Sequence, residues 1–223
     1  MATMPEDSGT VKDYHCYKKL IFSFPGGGKD LFKVYDDWAD NYESDSTSHG
    51  YVAPTKLADI ASDIIGDKSA RILDAASGTG MIGAELKLRG FTCIDALDPS
   101  QRSLDKSKTR QAYTNYICDT LDDHKTEIQN DVYDAVLMCG SFGLCGHVTD
   151  SCFPELIRIT KPGGFIMFTV STQVLDEWQD RLDASFTSFT QQGLWQLVEK
   201  RWCQYGYYGT QKLQAIVPVL KIT

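Results

Sequence analysis

Clusters of basic residues are missing from this chain. Across 223 residues its 22 Lys and Arg never form a run longer than two, and 30 Asp and Glu outnumber them for a net charge of −8. Phosphate backbones are held mainly by clustered cations, so the balance argues against a nucleic-acid partner. Long apolar runs are missing too: none approaches the ~18 residues that a membrane span needs. The polar start Met1-Ala-Thr-Met-Pro-Glu-Asp-Ser-Gly-Thr10 also lacks the basic-then-apolar layout of a secretory signal. The expectation is no membrane association and a cytoplasmic or nuclear protein. No C-x-x-C pair occurs among the seven cysteines (Cys16, Cys93, Cys118, Cys139, Cys145, Cys152 and Cys203), which are odd in number and widely spaced. They read as reduced thiols. Cys139, Cys145, His147 and Cys152 lie close together without the usual zinc spacing, so no metal is expected. A phosphate loop is absent as well, because Pro25-Gly-Gly-Gly-Lys29 has Ser23 and Asp30 where that motif needs Gly and Ser or Thr.

What is present is an alternation of apolar strands and amphipathic helices, with 42% apolar residues, enough for one packed core. Residues 1–30 read as an N-terminal extension, partly disordered, ahead of a single domain over 31–223. Leu31, Val34/Tyr35, Trp38 and Tyr42 fall at helical spacing. The helix 31–42 is either an aromatic face packed on the core or a lid over a ligand. A loop over 43–50 follows, then a helix opened by Ala53-Pro54 with Leu57, Ile60, Ala61, Ile64 and Ile65 on one face. Strands are expected at 71–74, 91–97, 116–118, 132–138 and 165–170, with helices after the first, second, fourth and fifth of these. That order means a doubly wound, mostly parallel α/β sheet. The tail differs: two strands, 195–203 and 214–222, follow one another without a helix and should pair antiparallel. Pro218 would then sit best on an edge or a bulge.

The chemistry is concentrated in Arg71-Ile-Leu-Asp-Ala-Ala-Ser-Gly-Thr-Gly-Met-Ile-Gly83, a strand ending in an acid and opening into a glycine turn ahead of a helix. Such a turn lets backbone N–H groups approach a nucleotide-like ligand. Gly78, Gly80 and Gly83 satisfy G-x-G-x-x-G, and Asp98 stands 20 residues past Gly78, which suits NAD and an oxidoreductase. Two features oppose that reading. Asp74-Ala-Ala-Ser77 lengthens the loop between strand and first glycine, and it places an acid where a pyrophosphate would lie. S-adenosylmethionine carries no phosphate and is cationic at sulfur and at its amino group, so it suits an acidic loop. Asp98 would accept from its ribose hydroxyls and Asp119 from its adenine amino group.

Leu73-Asp-Ala-Ala-Ser-Gly-Thr-Gly80, Leu97-Asp-Pro-Ser100, Tyr133-Asp-Ala-Val-Leu-Met138 and Leu156-Ile-Arg-Ile-Thr-Lys-Pro-Gly-Gly164 resemble the successive motifs of class I S-adenosylmethionine-dependent methyltransferases. Val34-Tyr-Asp-Asp-Trp-Ala-Asp-Asn-Tyr42 followed by Tyr51-x-Ala-Pro54 resembles the Williams-Beuren syndrome region methyltransferase-like family within them. The resemblance runs over residues 31–222 and implies a seven-stranded sheet ending in a reversed hairpin. It implies S-adenosyl-L-methionine as cofactor and methyl transfer as the reaction. The cofactor contacts expected are Asp74, Ala75, Ala76, Gly78, Gly80, Asp98, Pro99, Asp119, Met138 and Cys139. Ala76 stands where many members have a glycine. Candidate bases or orienters are His147, Tyr35 and Tyr42. A chain with almost no insertion between strands points to a small-molecule acceptor, with a protein acceptor as the alternative. A non-catalytic binding domain stays open beside the enzyme, and the oligomeric state is not specified.

Overall fold

A computed structural model of the chain describes residues 29–144, 147–208 and 210–223. The sequence readings on residues 1–28, and on Cys145, lie outside them. At the centre is β1 (Arg71–Ala75), paired in parallel with β2 (Cys93–Leu97) on one side and β4 (Tyr133–Met138) on the other. Outward from these run β3 (Asn115–Ile117) beside β2 and β5 (Thr160–Phe168) beside β4, both parallel. The C-terminal hairpin of β7 (Trp195–Tyr208) and β8 (Gln211–Ile222) closes the far side antiparallel, with β8 against β5.

Alternate residues along each strand face opposite layers, as the pleat requires. In β4, Ala135 and Leu137 meet the cluster containing Leu57, Ile82 and Leu86, whereas Val136 and Met138 meet the cluster containing Phe153, Trp178 and Phe186. The first layer is built by α3 (Ala53–Ile64) and α4 (Met81–Leu88). The second is built by α6 (Phe153–Ile159) and α7 (Thr172–Gln191). A doubly wound α/β sandwich results, and the strands of its parallel half end on one edge. Among the described residues no helix is long and apolar enough to cross a membrane.

Four local expectations change. The seven-stranded sheet carries an interruption: the line of β5 breaks at Thr169 and resumes as β6 (Val170–Ser171), which also pairs with β8, giving eight strands. Thr169 instead donates its N–H to Met138 O (3.1 Å). Pro218 lies in a central strand rather than at an edge. The ladder of β5 on β8 stops at Met167/Val219 and resumes in β6 at Val170/Ile216, so the missing proline donor falls where the neighbouring line is broken. The helix expected over 31–42 is two helices, α1 (Lys29–Trp38) and α2 (Tyr42–Ser48), and α2 occupies most of the expected loop 43–50. Glu43 and Asp45 in its first turn favour the helix N-terminus. The bend lets Trp38 Nε1 donate to Asp45 Oδ2 (2.8 Å) and sets the Trp38 and Tyr42 rings edge to face at 4.8 Å.

Candidate functional site

The glycine turn joins β1 to α4 through three residues at positive φ: Ala76 (55°), Gly78 (52°) and Gly80 (87°). Its three motif glycines do different work. A Cβ on Gly83 would stand 2.3 Å from the Tyr113 ring, and one on Gly80 would stand 2.9 Å from both Ser107 and Tyr113. Those two glycines permit packing beneath the turn. A Cβ on Gly78 would meet nothing within 4 Å, so this glycine faces open space. Its N–H donates to Asp98 Oδ2 (2.8 Å), while Asp98 Oδ1 accepts from Ser100 N (2.9 Å). Asp98 thus ties the turn after β1 to the turn after β2. Burial raises its pKa to about 6, and those two backbone donors pull the other way.

These turns wall a cavity of about 430 Å³ at the C-terminal edge of the parallel strands. Of the residues expected in the site, Ala76, Gly78, Asp98, Pro99, Cys139, Tyr35, Tyr42 and His147 line it. Asp74, Ala75, Gly80, Asp119 and Met138 do not. Asp74 is 1% exposed and accepts from the Tyr113 hydroxyl at 2.5 Å beneath the turn; its burial raises its pKa to about 7. The Tyr113 oxygen also accepts from Gly83 N (3.2 Å), so acid, tyrosine and helix start form one support. Ala75 and Met138 are buried within the sheet's core. Asp119 accepts from Thr120 N (2.8 Å) and pairs with His124 Nε2 (3.1 Å), and the neighbouring Thr120, Leu121 and Asp122 line the cavity in its place.

The charge of the wall is one-sided. Asp98 and Asp122 line it, and no Lys or Arg does among the described residues. Two hydroxyls on it, Thr79 Oγ1 and Ser141 Oγ, are buried without a hydrogen-bond partner, as is Ser77 Oγ in the same turn. An unmet buried donor costs about 1–3 kcal/mol, which a ligand oxygen or nitrogen would recover. Neither Thr79 nor Ser141 was singled out by sequence. Their signal was small polar residues beside glycines at the ends of β1 and β4.

The remaining wall is aromatic and comes from α1 and α2. Leu31, Phe32, Tyr35, Ala39 and Tyr42 border the cavity. Tyr35 Oη lies 2.6 Å from His147 Nε2, joining α1 to the loop after β4. Burial pushes the Tyr35 pKa well up, so its hydroxyl keeps its proton at neutral pH. Acid-base links hold α1 and α2 against the segment after β2. Ser100 Oγ, which caps α5 (Gln101–Ser107), donates to Asp36, Arg102 pairs with Asp40 (2.5 Å) and Arg110 with Glu43 (2.6 Å).

Residues 72–164, which hold the turn, Asp98 and the loop after β4, match the family model of a methyltransferase domain. Over that span the chain is similar to methyltransferase domains. Human methyltransferase-like protein 27 is 29% identical over 194 residues, spanning 86% of this chain and 78% of that protein. Among solved structures, the [4+2]-cyclase SpnF superposes with a TM-score of 0.67 at 13% identity, covering 90% of this chain and 98% of that one. An S-adenosylmethionine-dependent methyltransferase from Geobacter sulfurreducens, determined with S-adenosyl-L-homocysteine, superposes at 0.53 with 17% identity, covering 78% of this chain and 93% of that one. At such identities the structural likeness concerns the fold. The similarity to methyltransferase domains therefore rests on the family match over residues 72–164, which holds the ordered motifs from Leu73 to Gly164.

Proposed function

We propose that the chain is an S-adenosyl-L-methionine-dependent methyltransferase acting on a small-molecule acceptor, with the cofactor in the 430 Å³ cavity. The observation that carries this reading is the wall itself, with its two carboxylates, its lack of a described Lys or Arg, and a glycine open to the interior beside two partnerless hydroxyls. A pyrophosphate would find no cation there, which disfavours NAD(P). A cationic sulfonium compound with ribose hydroxyls and an amino group fits.

When bound, the cofactor supplies an activated methyl group whose leaving thioether is neutral. The chain's part is to bind, align and exclude water. Asp98 keeps acceptor capacity on both oxygens for ribose hydroxyls beyond its two backbone donors. Asp122 is better placed than Asp119 to take the adenine amino group. Gly78, Thr79 and Ser141 hold the amino-acid end, while α1 and α2 act as a lid closed by the links to Ser100, Arg102 and Arg110. At the junction of lid and loop, the hydrogen bond between Tyr35 Oη and His147 Nε2 (2.6 Å) sets both rings beside the acceptor. Among the described residues no inserted domain interrupts the succession of strands and helices, which favours a small acceptor.

SpnF, a cyclase by name, superposes better than the Geobacter methyltransferase, so a domain that binds cofactor without transferring methyl is the second reading. Calorimetry with S-adenosylmethionine and with NAD separates the ligands, and labelled-methyl transfer to a metabolite extract separates enzyme from binder. No binding of S-adenosylmethionine would sink the first reading. Unchanged binding by Asp98→Ala would sink the ribose assignment.

A further inference from the structure

A second, smaller cavity of about 80 Å³ adjoins the first and shares Tyr35, Tyr42 and Gly140 with it. Six aromatic rings face it: Tyr35, Trp38, Tyr42, Tyr51, Tyr205 and Tyr207. No Lys, Arg, Asp or Glu lines it among the described residues. The rings stand at varied angles, with Tyr35 and Trp38 near parallel (26°), Trp38 and Tyr42 at 70°, and Tyr51 and Tyr205 at 70°. Ring faces and edges therefore enclose the space from several sides. Three elements far apart in sequence converge to build it: α1 with α2, the residues just before α3, and the turn end of the β7–β8 hairpin. Gly140 allows the approach, since a Cβ there would stand 2.3 Å from the Tyr51 hydroxyl. That hydroxyl contacts Cys139 Sγ (3.4 Å), and Cys139 lines the first cavity.

We propose that this chamber receives the nitrogen of a small amine and that the chain is an amine N-methyltransferase. The inference rests on the methyl-transfer reading of the neighbouring cavity. A carboxylate, phosphate or phenolate acceptor would need a cation to hold its charge; no described Lys or Arg lines the chamber, and its one imidazole, His49, has Nδ1 on Asp45 O (2.7 Å). Tyrosine and tryptophan faces instead attract a positive charge through their quadrupoles. Burial holds the Tyr35 and Tyr51 pKa values well up, so their hydroxyls stay neutral and the wall gains no anion. The reaction calls for such a wall. The amine lone pair forms the N–C bond as the methyl C–S bond breaks and its electron pair stays on sulfur. The positive charge thereby passes from sulfur in the first cavity to nitrogen among the rings, and an N–H product then gives a proton to solvent.

The test is calorimetric titration of the full chain, saturated with S-adenosyl-L-homocysteine, with three compact probes: tetramethylammonium, tert-butanol and acetate. Tetramethylammonium should bind about tenfold more tightly than tert-butanol, and acetate weakest of all. Tyr205→Leu and Tyr207→Leu, which lie on the second cavity and not the first, should each weaken tetramethylammonium several-fold while S-adenosyl-L-homocysteine affinity holds to within about twofold. Tyr207 is 42% exposed, so its replacement leaves the fold intact. The proposal is overturned if tert-butanol or acetate binds as tightly as tetramethylammonium, or if both variants bind it unchanged. Failure of S-adenosyl-L-homocysteine itself to bind would instead remove the methyl-transfer reading. The free chain titrated with the same probes would then decide the cation chamber separately.

Discussion

Lowering the pH should loosen the cofactor through Asp98. Its carboxylate must be ionised to accept from ribose hydroxyls while it holds Gly78 N and Ser100 N, and burial has raised its pKa to about 6. At pH 7.5 nearly all of the unliganded chain is competent. At pH 5 only about one molecule in eleven is ionised there, so the apparent Kd should rise about tenfold, or ~1.4 kcal/mol. S-adenosyl-L-homocysteine is the right probe because its own charge does not change over this range. Titrated by calorimetry from pH 7.5 to 5, log Kd should be flat at first and then climb toward one unit per pH unit. Asp98→Asn should bind weakly throughout with most of that slope removed. The sign for folding is opposite. A folded pKa above the ordinary 3.8 means that protonation favours the folded chain, so this contribution is complete below about pH 4 and lost as pH rises through about 6. Acidification should therefore narrow the melting gap between Asp98→Asn and the unchanged, unliganded chain while it shrinks the ligand-induced shift. A Kd independent of pH, or an equal slope in Asp98→Asn, would refute the role given to this carboxylate.

The supports beneath the turn should behave differently from its wall. Tyr113→Phe removes the hydroxyl shared by Asp74 and Gly83 N and should cost ~1–3 kcal/mol in denaturant unfolding. Asp74 is buried with its pKa at about 7, so Asp74→Asn should raise the melting temperature of the unliganded chain more at pH 8 than at pH 5. Ser141→Ala removes a hydroxyl that has no partner, so stability should hold or rise while S-adenosyl-L-homocysteine binding weakens by about 1 kcal/mol, or roughly fivefold, by calorimetry. Ala76→Gly relieves a left-handed alanine (φ 55°) and should gain up to about 1 kcal/mol by denaturant unfolding, less what the added backbone freedom of glycine takes back.

The sheet was legible in the sequence because strand and helix periods differ and because acids or small residues mark the strand ends. Asp74 and Asp98 lie within a residue of the ends of β1 and β2, and Cys139-Gly140 follow β4 directly. The site was legible where a residue's type carried its geometry. Asp98 bridges two turns, and Gly78 is open toward the cavity. Elsewhere spacing could not separate a residue that faces a ligand from one that supports the turn. Gly80 and Gly83 belong to the same motif as Gly78 yet answer to Tyr113, and Asp74 answers to the same hydroxyl. Tyr113 lies on the far side of α5, and only the folded chain brings it back under the glycines. The split at residues 39–41 was hidden for a related reason, since the Trp38 to Asp45 bond that rewards it is formed only once the chain has turned. The aromatic chamber is the extreme case. Tyr35 and Tyr51 fall in one quoted motif but Tyr205 lies about 150 residues beyond it, and what unites the three is a hairpin end folded back against the first helices. Residues of the proposed cofactor cavity follow the strand ends and can be read in order, whereas those of the proposed acceptor chamber are assembled across the fold. The acceptor's chemistry had therefore to be inferred from the charge and ring content of a surface, and those point to nitrogen.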